Sequence, residues 1–542
     1  MTNSPRSVLV WFVAALGLAA VGVMALNLSV YGSSHFLNSD FLTPYFFCAD
    51  LLSGRYPLKG WTLSASPYFV PDHLILGALS AGLGRAGLAY ELFTVVFYPA
   101  LFVLAGFCVR TVTGRTGPAL VAGLLFGVGL LAFQAVPSQR LCLWWIGAPT
   151  CHGGVLLVGF AYLWALAAGL RRGRVGGLPA GLFVLGFVGL LSDSLFLFQI
   201  LLPASAALFF WRRKGPGFAP WLRWQVGCAL AALAGTQLFK PICRAADWFY
   251  FSRIIRVAPT PAHQWHALAQ FVSDVPGLLR DNWGFALLVP LAALATIYAV
   301  WTRRPVPSAP DTADAGDTLD FFRVFCATSL LLMLPLPILS CGWKDANNVR
   351  YLFNWLVLPG FLLTLELAAG WRASRRALLG TAAVFIVLLV GFLPGSRRGV
   401  PTFPYPDDVA ALDALLQSRG LKHGLAQYWE AKNVTALSRA GAELRQIRPD
   451  GTPYFWDNNA FAYYERTAPD ALAWPAYQYI LTDRLDEAAL VRSYGEPQAR
   501  ESAGAYHVWV YGEEGQRRIR AALEPAVREK LGPRRLAGFN TH

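Results

Sequence analysis

Long apolar runs alternate with short polar connections over the first three quarters of the chain. Runs rich in Ala, Leu, Val, Phe and Gly fall at about 8–29, 88–109, 117–136, 153–170, 178–191, 195–211, 222–239, 284–301, 321–341, 352–369 and 377–394. A helix needs roughly 20 apolar residues to cross a bilayer core. The pattern therefore predicts an α-helical polytopic membrane protein with about 11 transmembrane helices. Residues 73–84 are apolar but short for a crossing, and they read as an interfacial or re-entrant helix. The short pair 178–191 and 195–211 reads as two helices meeting at Ser192-Asp193-Ser194. The first run reads as an uncleaved span, because its apolar stretch is too long for a signal peptide and its small-residue site is weak.

From about Gly395 the pattern changes. Residues 401–406 form a Pro-rich linker, and 407–542 are polar and mixed. Residues 407–419 have helical spacing (Val409, Leu412, Leu415, Leu416) with Gly420 as a stop. Segments 424–429, 477–481 and 506–511 read as strands. Strands alternating with helices predict a small C-terminal α/β domain over 395–542, beside a membrane domain over 1–394.

Composition agrees with this division. Hydrophobic residues make up 55% of the 542 positions and charged ones 14%, against roughly 25% charged in soluble chains. The net charge of +14 raises the question of nucleic acid, and the distribution answers it. Basic residues gather between apolar runs, at Arg110 and Arg115, Arg171, Arg172 and Arg174, Arg212, Arg213 and Lys214, Arg303 and Arg304, and Arg372, Arg375 and Arg376. No nucleic-acid-binding motif accompanies them. The clusters occupy every second connection, which makes those connections cytoplasmic. The N-terminus is then inside. Loops 30–87 and 240–283, the shorter connections 137–152, 192–194 and 342–351, and the C-terminal domain are outside.

Eight cysteines include no close CxxC pair. Cys108, Cys228 and Cys326 fall in or beside apolar runs and read as space-filling. Cys142 and Cys151 share a connection, where a disulfide and two free thiols are equally open.

Charge is scarce near the membrane, so each charged group there is a candidate for function. The first loop carries Asp40, Asp50 and Asp72. Asp40 sits among Phe36, Phe41, Tyr45, Phe46 and Phe47. A carboxylate in that setting serves as a general base or a cation ligand, or it caps a helix starting near Leu42. Capping is also open for Asp72, which follows Pro71, and for Asp193 between two apolar helices. In loop 240–283, Lys240, Arg244, Arg253, Arg256 and Arg280 lie near Trp248, Phe249, Tyr250 and Phe251, a composition that suits an anionic headgroup or phosphate. Lys344, Arg350 and Tyr351 precede a late apolar run. Arg350 presents a planar fork of donors that suits pyrophosphate, or it anchors the interface together with Tyr351. No phosphate loop, HExxH or GxSxG motif is present. The Gly-rich run 123–129 reads as helix packing.

An apolar first span, the external Ser39-Asp40-Phe41, an external Arg350-Tyr351 pair before a late span, and a C-terminal external domain together resemble the C-type (GT-C superfold) polyprenyl-phosphate-dependent membrane glycosyltransferases. The resemblance is one of layout over about residues 1–400. It implies transfer of a sugar from a polyprenyl-phosphate donor to a glycan or lipid acceptor at the external membrane face, within a cell envelope. It implies Asp40 as the catalytic acid/base, Lys344 and Arg350 as phosphate contacts, and Asp50, Asp72, Asp193 and Tyr351 as further substrate-binding candidates. Many members carry two adjacent acidic residues in the first loop, whereas Phe41 follows Asp40 here, so a divalent metal stays open. The aromatic and amide-rich stretches 427–430, 457–459 and 463–464 suit a sugar. Two other readings stand beside this one: a membrane transporter or lipid-linked saccharide flippase, and a scaffold that presents its C-terminal domain. An Ala-, Gly- and Arg-rich chain without eukaryotic sorting signals fits a bacterial inner membrane.

Overall fold

The computed structural model describes residues 5–31, 39–83, 86–135, 152–172, 177–211, 219–252, 260–281, 294, 315–333, 335–339, 343, 352, 354–370, 374–396, 405–468, 470–536 and 539–541. The apolar run at 284–301 lies outside these apart from residue 294. So do Cys142, Cys151, Arg253 and Arg256, and also Lys344, Arg350 and Tyr351.

Among the described residues up to 396, the apolar runs become helix. Ten of the eleven runs coincide with helices, among them Pro5–Ala25, Ala86–Thr113, Thr116–Ala135, Gly153–Arg172, Leu178–Ser192, Ala219–Ala245, Asn354–Gly370 and Arg375–Ser396. Among the described residues, five helices are long and apolar enough to cross a membrane: Ser7–Leu28, Leu88–Thr113, Gly153–Arg172, Pro220–Ala245 and Arg375–Phe392. Pro5–Ala25 packs on Thr116–Ala135 and Arg375–Ser396, and Ala86–Thr113 packs on Thr116–Ala135 and Gly153–Arg172. A Cβ at Gly123 would collide with the backbone of Phe102 and Gly106. Glycine is thus what lets Ala86–Thr113 and Thr116–Ala135 touch so closely. Cys108, Cys228 and Cys326 are buried free thiols. Elsewhere large apolar side chains face outward, such as Leu331 at 70% and Val387 at 69% exposure. Faces of this kind need an apolar neighbour, as a bilayer supplies.

The two helices expected around 192–194 are present. Leu178–Ser192 ends at Asp193, whose extended backbone breaks the run before Leu197–Leu201 and Leu202–Trp211. The short apolar segment 73–84 is also helical, as Phe69–Leu76 continuing into Gly77–Leu83. The long connection 240–283 is mostly helix, since Ala219–Ala245 runs into it and Pro261–Asp281 follows.

The C-terminal region is an α/β unit. Its five-stranded sheet runs in the order Glu443–Ile447, His423–Gln427, Tyr479–Leu481, Tyr506–Val510, Ala499–Ala503. The first three strands are parallel and the last two pair antiparallel. Strand alternation sends neighbouring side chains to opposite faces. Ala426, Tyr479, Leu481, Val508 and Val510 pack with residues of Asp407–Arg419 and Tyr428–Leu437. Leu425, Ile480 and Trp509 pack on the other face with residues of Glu487–Tyr494 and Glu513–Leu536. The strand expected over 424–429 stops at Gln427, because the Gln427 side chain accepts the Trp429 N–H (2.7 Å) and caps a helix instead. Gly420, at φ 64°, ends Asp407–Arg419 as expected.

A second, three-stranded sheet joins the parts. Trp61–Leu63 pairs with Tyr250–Phe251 on one side and with Asn458–Asn459 on the other. The first loop, the connection after Ala219–Ala245 and the C-terminal unit therefore meet at one place. Arg535 strengthens the junction through a 3.0 Å ion pair with Asp247 and a guanidinium 3.9 Å from the Tyr250 ring centre.

Candidate active site

The helix Ser39–Ser53 starts at this junction, and its first two residues both contact Tyr428. The Ser39 hydroxyl donates to the Tyr428 carbonyl, and the Tyr428 hydroxyl donates to Asp40 Oδ1. The Gln427 cap fixes Tyr428 at the start of its helix. One turn further on, Lys432 lies on the buried side between Ala431 and Val434. Its Nζ donates to Thr43 Oγ1 (2.6 Å) and to the Asp457 carbonyl. Asp457 has a left-handed backbone (φ 46°), and its Oδ1 accepts the Ser64 N–H. Polar side chains thus tie helix 428–437 to helix 39–53 and to the end of strand 61–63, beside the apolar contact of Phe47 with Trp61.

These residues border a cavity of ≈ 520 Å³, within the size range of small-ligand sites. Asp40, Ser64 and Tyr68 form the wall from the first loop. Tyr428, Trp429, Arg448, Tyr454, Trp456 and Asp457 form the wall from the C-terminal unit. The Arg448 guanidinium sits 5.7 Å from the centre of the Tyr454 ring. Burial drives the Lys432 ammonium below its ordinary range, and the Asp457 and Asp40 carboxylates pull it back up. Burial drives the Asp457 carboxyl up, with Lys432 opposing and Asp40 adding to the rise. The cavity therefore offers carboxylates, a guanidinium and aromatic faces. A carboxylate can accept a hydroxyl proton, a guanidinium can hold an anion, and aromatic rings can cover a sugar's apolar face.

Behind Tyr68 lies a second polar group. Asp193 Oδ2 is 2.5 Å from His152 Nδ1, and His152 Nε2 is 3.4 Å from the Tyr68 hydroxyl. The other carboxylate oxygen, Oδ1, accepts the Leu195 N–H (2.9 Å) and the Ser66 hydroxyl (3.3 Å). The expected cap is therefore present at Asp193, and it uses only one of the two oxygens.

The sequence-predicted residues divide accordingly. Asp40 borders the cavity, and Asp193 reaches it through His152 and Tyr68. Asp50 points elsewhere, because its Oδ2 accepts Trp61 Nε1–H and Asn459 Nδ2–H, both at 2.8 Å. Burial pushes the Asp50 carboxyl up to about 6. Asp72 is fully buried near Gly154 and does not border the cavity. Lys344, Arg350 and Tyr351 lie outside the described residues. In the connection 240–283, the Lys240 ammonium sits 5.6 Å from the Phe251 ring centre. Lys432, Arg448 and His152 were not anticipated. A lysine between two apolar positions of one helix face is a readable signal for Lys432, and an ionisable residue next to an apolar run is one for His152.

Among the described residues, no three His, Cys, Asp or Glu side chains gather as metal ligands. The carboxylates at the cavity already have the Lys432 ammonium beside them, a donor set that does not fit a divalent ion. No protein-family model and no curated protein matches this chain.

Proposed function

We propose that the protein is a membrane glycosyltransferase that moves a sugar from a polyprenyl-phosphate donor to an acceptor hydroxyl at the external membrane face. In this reading the chain crosses a bacterial inner membrane about 11 times, as spans of this length allow. The N-terminus is then cytoplasmic and the C-terminal unit extracytoplasmic. The observation that carries the reading is Asp40. Of the three aspartates in the first loop, it is the one that borders an aromatic-lined cavity closed by the C-terminal unit.

The chemistry follows from that wall. Asp40 takes the proton of the acceptor hydroxyl as its oxygen bonds to the anomeric carbon. The bond from that carbon to the phosphate oxygen breaks, and its electron pair leaves with the polyprenyl phosphate. The Arg448 guanidinium meets the charge that develops there. The aromatic wall of Tyr428, Trp429, Tyr454 and Trp456 holds the sugar ring, and Lys432 balances the carboxylates.

The test uses the full chain in lipid nanodiscs with a panel of polyprenyl-phosphate hexoses and pentoses. Release of polyprenyl phosphate is followed by mass spectrometry. Asp40→Asn should lower kcat by about 10²–10⁴-fold, the usual contribution of a general base, with an unchanged elution profile and thermal midpoint. Turnover by Asp40→Asn at the wild-type rate rejects the reading.

A further inference from the structure

The Asp40 mechanism does not use Asp193, His152 and Tyr68, yet these three run in line from the protein interior to the cavity. Asp193 is completely buried and His152 is 9% exposed. A buried carboxylate–imidazole pair is expensive to desolvate. Helix capping accounts for one Asp193 oxygen only, the one that accepts the Leu195 N–H. The other is directed at His152 Nδ1, 2.5 Å away. With that contact made, Nε2 faces the Tyr68 hydroxyl (3.4 Å).

Tyr68 is held firmly in this position. Its backbone is left-handed, at φ 55°, which a bulky residue adopts only where its surroundings impose it. Its N–H donates to the Ser192 carbonyl (2.9 Å), and the Ser192 hydroxyl accepts the Val70 N–H (2.9 Å). The turn that carries Asp193 therefore also sets the backbone of Tyr68. The Tyr68 and His152 rings meet edge to face, 5.4 Å between centres.

The structure assigns Tyr68 as a second catalytic residue of the proposed transfer, a hydrogen-bond donor to the departing phosphate, with His152 and Asp193 as its positioning residues. The assignment rests on the glycosyltransferase reading and extends it. Asp193 Oδ2 lies against His152 Nδ1, and His152 Nε2 lies against the Tyr68 hydroxyl, which holds the Tyr68 side chain at the cavity that it lines. As the bond to phosphate breaks, the phosphate oxygen gains the electron pair and the Tyr68 hydrogen bond strengthens. Asp40 thus serves the acceptor side of the reaction and Tyr68 the donor side.

The experiment compares wild type, Tyr68→Phe, His152→Ala and Asp193→Asn in the same nanodisc assay. Removing one preorganised donor of this kind lowers kcat by about 10²-fold, so Tyr68→Phe should show that loss with KM little changed. His152→Ala should be impaired as well, and added imidazole should restore part of its turnover. Asp193→Asn should be impaired without rescue by imidazole. Wild-type turnover by Tyr68→Phe overturns the assignment. So does a His152→Ala defect that imidazole leaves unmoved, because that marks a purely structural histidine. A wild type that releases no polyprenyl phosphate from any donor in the panel rejects the glycosyltransferase reading itself, and the assignment falls with it.

Discussion

Asp40 and Asp50 lie on the same helix, Ser39–Ser53, and both carboxylates bond to residues of the C-terminal unit. Their surroundings differ in kind. Asp50 accepts two N–H groups on one oxygen, from Trp61 and Asn459, and neither donor can exchange its proton usefully. Asp40 accepts an O–H from Tyr428, has the Lys432 ammonium in its field, and faces an open volume. One carboxylate fastens the junction, and the other borders the cavity where the proposed transfer needs a proton acceptor. Carboxyl chemistry is common to both, so the cavity and the charged neighbour make the difference.

The strongest way to break this contrast is at Lys432. Removing one partner of a buried charged pair destabilises a protein by about 3–5 kcal/mol, because the remaining charge stays buried without compensation. Lys432→Met should therefore lower the thermal midpoint in detergent strongly and abolish transfer. Adding Asp457→Asn removes the stranded charge and should recover much of the stability. If the double variant is no more stable than Lys432→Met alone, Lys432 does not act through charge balance in this wall.

The helices of the membrane region were legible because a run of apolar residues has few other stable outcomes in lipid. Asp40 was legible too, as a carboxylate among aromatics in the first loop, and it starts the helix Ser39–Ser53. Its partners were harder to read. Tyr428 follows it by 388 positions, and no local pattern reports a contact across that separation. Residues 427–430 and 457–459 stood out as aromatic and amide-rich, but nothing in the sequence placed them against Asp40. Lys432 shows only as a lysine between apolar positions of one helix face, and packing alone places Thr43 and Asp457 around it. The strand expected at 424–429 was too long by two residues, since a side-chain cap at Gln427 outweighed the β preference of Tyr428 and Trp429.

A gentler probe works on Asp50. Its carboxyl ionises near 6 in the fold against 3.8 in the unfolded chain, with burial as the main cause. Raising the folded value means that this group favours the fold while protonated. That benefit is complete below pH 3.8 and is lost as the pH rises through about 6. The difference is on the order of 3 kcal/mol. Because both donors converge on one oxygen, an amide oxygen in that place keeps both bonds. Asp50→Asn should therefore flatten the decline in thermal midpoint between pH 4 and pH 7 and leave transfer near the wild-type rate. A variant with the wild-type slope assigns that slope to other groups, and one with lost transfer erases the contrast with Asp40.

The smallest expected effect lies next to Asp50. A Cβ on Gly60 would overlap the Asn459 carboxamide, which donates to Asp50 and also to the Pro57 carbonyl (3.1 Å). Gly60→Ala should push that carboxamide aside and destabilise the protein by about 1–3 kcal/mol, the range for overpacking. The cavity wall around Asp40 is built from other residues, so kcat should stay within about twofold of wild type, as for separate sites. Gly60→Ala combined with Asn459→Ala should cost less than the sum of the single changes, because the two share the carboxamide contact, while the overlap with the Phe461 ring remains. Full additivity shows that the two positions do not act through one contact, and a loss of turnover as large as that expected for Asp40→Asn shows that the two ends of the helix Ser39–Ser53 work as one unit. The fastening carboxylate and the reacting one are then not separable.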